Sequence, residues 1–171
     1  LCIYTLSDDL QAYQNATLQL KLMDFNGKVL SKKIVKGEVP ANASAVFHKE
    51  VYNDLATQST NTLLLMTLKD QKGKVLSEEI YYFNYPKDQE LPQAKVSFKV
   101  KTMDGKCEVS LSAKQLARDI FVEIPYQGAR FTDNFFDLLP GQTKKIVITS
   151  DEIKKGKPVE LKIRHLKGII K

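Results

Sequence analysis

Apolar and polar residues alternate with a period close to two over much of the chain, and no sustained helical period competes with it. Leu18, Leu20 and Leu22 are separated by Gln19 and Lys21. Asp24-Phe25-Asn26-Gly27 then reads as a turn, and Val29-Leu30 through Ile34-Val35 as the returning strand. The pattern Asp-x-x-Gly-Lys-Val-Leu-Ser recurs 46 positions later, where Leu64, Met66 and Leu68 lead into Asp70-Gln71-Lys72-Gly73 and out through Val75, Leu76 and Ile80. Two copies are too few for a solenoid, so they are expected as two hairpins of one sandwich. A third hairpin is predicted where Val96, Phe98 and Val100 meet Val109, Leu111 and Ala113 across Asp104-Gly105, a dipeptide suited to tight strand reversal.

Further strands are predicted at Ile120–Ile124, at Ala129–Leu139 with an interruption at Asp133-Asn134, at Lys145–Ile148, and where Val159, Leu161 and Ile163 alternate with Glu160, Lys162 and Arg164. Over 41–55, a weak apolar spacing at Val46, Val51 and Leu55 competes with β-branched residues and Asn-Ala-Ser, and strand plus loop is expected. Between Tyr85 and Pro92 two prolines flank a polar stretch, the composition of a short, stiff linker. The expected architecture is all-β, two antiparallel immunoglobulin-like sandwiches in tandem, residues 1–88 and 89–171. With no tryptophan, the Cys…Trp…Cys pin of antibody domains is absent.

Composition refines this picture. Hydrophobic residues are 43% and charged residues 27%, as in ordinary globular domains. No apolar run approaches the roughly 18–20 residues of a membrane-spanning helix, and no membrane partner is expected. Leu1 to Thr5 offer neither a basic nor an apolar leader region, and the sequence, starting at leucine, reads as a piece of a longer chain. The net charge of +6 is uneven: residues 1–92 carry −1 and residues 93–171 carry +7. Lysine supplies 23 of the 26 basic residues and arginine only three, and the lysines alternate with apolar residues, as Lys95, Lys99 and Lys101 do. That is a solvated strand face, without the arginine forks that read nucleic-acid bases, so no nucleic-acid partner is expected. Cys2 and Cys107, 105 positions apart, are expected as free thiols.

No catalytic constellation emerges. His48 and His165 each lack a second metal ligand at helical spacing, and no nucleophile elbow, P-loop or dinucleotide-binding glycine pattern occurs. Adjacent carboxylates such as Glu78-Glu79 point to opposite faces of a strand, whereas a glycosidase pair must face across a cleft. No catalytic residue, metal ligand or cofactor is assigned.

The densest unusual segment is Phe131-Thr132-Asp133-Asn134-Phe135-Phe136-Asp137-Leu138-Leu139-Pro140-Gly141. As a binding feature, its aromatic faces and acceptors, with Tyr126 nearby, suit sugar or a domain interface: Tyr126, Phe131, Asp133, Asn134, Phe136 and Asp137 are the candidates. As a structural feature, the phenylalanines pack a core, Asp-Asn bends the chain and Pro-Gly turns it. Three oxygen ligands without a glycine-containing loop are too few for calcium.

This stretch resembles the F-S-D-N-Y-F-D-L-x-P-G signature near the end of β-mannosidases of glycoside hydrolase family 2, with Thr132 in place of serine and Phe135 in place of tyrosine. The order of Val75-Leu76-Ser77, Tyr81-Tyr82-Phe83, Tyr85-Pro86-Lys87 and Leu91-Pro92 is also similar to that family's sandwich running into its terminal immunoglobulin-like domain. The resemblance implies a parent enzyme that removes terminal β-linked mannose with retention, from a catalytic barrel upstream of these residues. Neither of that barrel's catalytic glutamate motifs is present here. The implied partners are the barrel of the same parent chain and mannose-containing glycan, in a periplasmic or secreted bacterial parent or a lysosomal eukaryotic one. An autonomous carbohydrate-binding module and a sandwich-type adhesion domain remain as alternatives.

Overall fold

The computed structural model describes residues 1–51 and 59–170. The chain divides into two compact units, Leu1–Asp24 with Lys28–Glu90, and Leu91–Lys171 with Phe25–Gly27. Both units are built from antiparallel strands, and among the described residues helix is limited to two three-residue 3-10 turns, Ser59–Asn61 and Pro86–Asp88.

In the first unit, β1 (Cys2–Ser7) pairs with β4 (Ala43–Lys49) as a two-stranded sheet. The strands β2 (Tyr13–Asp24), β3 (Val29–Val39), β5 (Thr62–Lys69) and β6 (Val75–Tyr82) form a four-stranded sheet of order β3-β2-β5-β6. Both repeated hairpins thus lie side by side in one sheet, with Leu18 opposite Leu68 and Leu22 opposite Leu64. Gly27 and Gly73 take φ of +94° and +83° at the two turns, a conformation that L side chains rarely adopt. The turn aspartates complete them: Asp24 Oδ1 accepts from Lys28 N at 2.9 Å, and Asp70 Oδ1 from Lys72 N and Lys74 N at 2.8 and 2.9 Å. The recurrence in the sequence is therefore the recurrence of one turn chemistry. Ile3, Leu18, Leu20, Leu22 and Leu64 are the buried centre, with Phe47 and Met66 packed against them. Residues 41–49 form a turn and a strand as expected; the loop expected after them falls partly on 52–58, which lie outside the described residues.

The second unit is a pair of four-stranded sheets. One, of order β10-β12-β8-β7, contains β7 (Val96–Met103), β8 (Lys106–Ala113), β10 (Arg130–Phe131) and β12 (Thr143–Thr149). The other, of order β11-β9-β13-β14, contains β9 (Ala117–Glu123), β11 (Phe136–Leu138), β13 (Lys162–His165) and β14 (Gly168–Ile170). Cys107, Val109, Leu111, Ile146 and Ile148 face Ile120, Val122, Phe136, Leu138 and Ile163 in one buried cluster. Cys107 is buried, Cys2 is exposed, and both are free thiols.

Three segments differ from the alternation read in the sequence. Regular strand starts only at Lys162, although Val159 and Leu161 still pack against the core. Phe98 stays 37% exposed, since β7 is an outer strand of its sheet. The stretch from Tyr85 to Glu90 belongs to the first unit: Gln89 is buried, its side-chain amide donates to Asn84 O at 2.8 Å, and Glu90 N donates to Thr60 O at 2.8 Å.

Candidate functional site

The segment from Arg130 to Leu138 changes sheets. Arg130 and Phe131 pair with Thr149 and Ile148 in one sheet, and Phe136 and Leu138 pair with Ile120 and Ala117 in the other. At the first end, Thr132 N donates to Val147 O and Thr132 Oγ1 accepts from Val147 N, both at 2.9 Å, so a side-chain oxygen replaces a strand carbonyl. The crossing falls on Asp133-Asn134, where the sequence predicts an interruption. Asp133 forms an ion pair with Lys144, whose Nζ also lies 4.4 Å from the centre of the Phe136 ring.

Asn134 is the point of re-entry. Its Oδ1 accepts from Val122 N at 2.9 Å, and its Nδ2 donates to Val122 O at 3.0 Å. One carboxamide thus supplies both halves of a strand–strand pair to β9. The same Oδ1 accepts from Phe135 N at 3.2 Å. Phe135 then takes φ +60°, an unusual conformation for an aromatic residue. That turns its ring outward, 68% exposed, to stack on Phe121 with centroids 4.5 Å apart. A tyrosine hydroxyl at this position would extend an already exposed ring.

Asp137 has a comparable task two residues on. Between the Phe136–Ile120 and Leu138–Ala117 pairs, β9 carries Arg118 and Asp119 against the single residue Asp137, which is a β-bulge. Asp119 takes φ +53°, and its amide donates to Asp137 Oδ1 at 2.9 Å, while Oδ2 lies 3.7 Å from Arg118 Nε. The carboxylate plugs the gap that the bulge opens.

Of the six candidates, Phe136 is in the core, and Asp133 and Asp137 are engaged in the pairings above. Tyr126, Phe131 and Asn134 line a groove of about 520 Å³ bordered by Phe121, Ile124 and Ala129. Residues that the sequence did not single out complete it: Glu123, Glu160 and Lys162. Glu123 binds Arg164 Nη2 at 3.0 Å and lies 3.9 Å from Lys162 Nζ across the β9–β13 pair. Only strand register brings these charges together, and Phe121 and Phe135 likewise meet through the bulged turn. Among the described residues, no cluster of three or more histidine, cysteine, aspartate or glutamate side chains has the arrangement of a metal site.

Comparison with known families places this geometry. Residues 1–88 match the family described as the mannosidase Ig/CBM-like domain, and residues 91–169 match an Ig-fold domain family. The chain belongs to the mannosidase immunoglobulin-like sandwich family. Its members are accessory domains of glycoside hydrolase family 2 enzymes. An exo-beta-D-glucosaminidase from Hypocrea jecorina is 30% identical to it over 80 residues, 47% of this chain and 9% of that protein. Among solved structures, a beta-D-mannosidase from Dictyoglomus thermophilum is similar with a TM-score of 0.71 and 21% identity, over 96% of this chain and 20% of that one. The exo-chitosanase CsxA from Amycolatopsis orientalis is similar with a TM-score of 0.66 and 17% identity, over 96% of this chain and 24% of that one. These mannosidase-type sandwiches therefore span a quarter or less of the relatives they match. At such identities the structural likeness is one of fold.

Proposed function

We propose that residues 1–171 are the non-catalytic accessory region of a β-mannosidase, divided near residue 88 into two sandwiches that pack against and stabilise the catalytic barrel of the same chain. The parent would hydrolyse terminal β-D-mannose from the non-reducing ends of glycans with retention, using two carboxylates outside these residues. The observation that carries this reading is the fate of the signature side chains. Asn134 and Asp137 bind the backbone of β9, and Phe136 fills the core. They build an edge of the sandwich and are spent on its backbone and core.

A second reading, a carbohydrate-binding module, is favoured by one feature: the groove beside Tyr126 and Phe131 combines aromatic and charged lining. Two assays on the chain itself separate these readings. The accessory reading expects no turnover of aryl β-mannoside or aryl β-glucosaminide, and no heat of binding with manno-oligosaccharides at millimolar concentration. Turnover abolished by substitutions within these residues would overturn it. Saturable binding abolished by Tyr126→Ala would instead favour the sugar-binding reading.

A further inference from the structure

Among the described residues the two sheets of the first sandwich are unequal, four strands against two. Ile3 of β1 packs with Leu18, Leu20 and Leu22 of β2, and among the described residues no further strand joins β1 and β4 to cover the rest of the larger sheet. A slot of about 290 Å³ occupies that space. Four consecutive residues of β1, Ile3 to Leu6, line it. Consecutive side chains of a strand point to opposite faces, so a cavity touching all four runs along the strand's edge. The other edge of β1 is taken by β4; this one has no strand partner among the described residues. The floor is a cross-strand ladder. Leu18, Leu68 and Ser77 stand abreast on β2, β5 and β6, with Met66 and Glu79 abreast beside them.

Two polar groups in the slot lack partners. The Thr5 side-chain oxygen is buried with no hydrogen-bond partner among the described residues, in a residue only 8% exposed. Such a group costs about 1–3 kcal/mol when left unsatisfied. Glu79, exposed at the rim, forms no ion pair among the described residues.

We propose that this slot receives one extended strand from elsewhere in the parent polypeptide, paired with the free edge of β1. The strand carries apolar side chains at alternate positions over Met66 and Leu68 and a lysine or arginine facing Glu79. The proposal rests on the accessory reading above. A second copy of the chain does not fit. Two β1 edges pairing antiparallel are related by an axis perpendicular to the shared sheet, which would drive the overhanging β5–β6 floors into one another. A free peptide would gain little from so short a slot, whereas a tethered segment arrives at millimolar effective concentration. Relatives of this fold are four to five times longer than this chain, which supplies the tether.

Hydrogen exchange tests this on the parent polypeptide and on the 171-residue chain. In an antiparallel edge about half the β1 amides point away from β4. These should exchange at least about tenfold more slowly in the parent, while the amides of β5, paired on both sides, should not differ. Ser77→Arg, an exposed position whose new side chain would fill the slot, should abolish the added protection and leave the shorter chain unchanged. Equal β1 exchange in both proteins would overturn the proposal, and so would protection that survives Ser77→Arg. Failure of the accessory reading shows separately, as a parent whose heat inactivation is unaltered when both sandwiches are deleted.

Discussion

The carboxamide of Asn134 makes both hydrogen bonds to the backbone of Val122 that a neighbouring strand residue would make, at 2.9 and 3.0 Å. It holds the edge of β9 closed where the chain crosses from one sheet to the other. Asn134→Ala would leave a buried backbone pair beside the groove with water as its only partner. We expect a loss of about 2–3 kcal/mol in the second sandwich, from the cost of two unmade bonds. Asn134→Asp, which keeps the acceptor and loses the donor, should lose about half of that. Urea unfolding followed by tyrosine fluorescence checks both values.

Asp137→Ala should cost about 1–2 kcal/mol, because it removes the acceptor for Asp119 N and the ion-pair partner of Arg118 together. Asp137→Asn keeps an acceptor oxygen and should recover most of the loss in the same unfolding measurement. If the ion pair with Arg118 dominates instead, the asparagine variant will be no more stable than the alanine variant.

Gly37 is the tightest glycine of the first sandwich outside the turns. A Cβ there would sit 2.9 Å from Cζ of the Phe47 ring, which packs on the core. Gly37→Ala should destabilise by about 1–3 kcal/mol, the range of an overpacked core. Gly37→Ala combined with Phe47→Leu should recover part of it, as a double-mutant cycle would show.

Acid should weaken the two sandwiches in different windows. Burial pushes the His165 imidazole below its ordinary 6.5, against an opposing hydrogen bond with the Ala94 backbone. Its Nδ1 accepts from Lys167 N at 3.3 Å, a role that a proton there would end. The folded form therefore favours neutral histidine, so stability is full above pH 6.5 and falls as pH drops through the lowered folded value. Glu50 is held below its ordinary 4.5, chiefly by Lys33 and also by His48, whose nitrogens lie 2.7 and 2.8 Å from Oε2. Its stabilisation is full above pH 4.5 and fades as pH falls through the lowered folded value. Melting temperatures recorded down a pH series should show the second sandwich weakening first. His165→Gln should flatten the upper window and Glu50→Gln the lower one.

The strands were legible where alternation and turn chemistry agreed. Leu18–Leu22 and Leu64–Leu68 show period two, and each leads into an Asp-x-x-Gly turn whose side chain and positive φ the structure uses directly. Less legible were β1 and β14, short strands whose residues alternate weakly; the place of β1 is set by the distant β4, and β14 is a three-residue return onto β13. The Phe131–Asp137 segment was marked by its composition, and its bend fell where Asp133-Asn134 indicated. Its chemistry was not readable, because that depends on register. Asn134 meets Val122, and Asp137 meets a bulge at Arg118-Asp119, only once β9 and β11 are paired. The slot beside β1 was equally invisible, since it follows from how many strands each sheet has.

The central claim is that these sandwiches hold an active centre that lies elsewhere in a longer chain. It is tested most directly by the rate of heat inactivation of the parent enzyme with and without residues 1–171, assayed on an aryl β-mannoside. The account predicts that deletion leaves the parent inactive or inactivated at markedly lower temperature. A truncated parent with full activity and an unchanged inactivation temperature would contradict it.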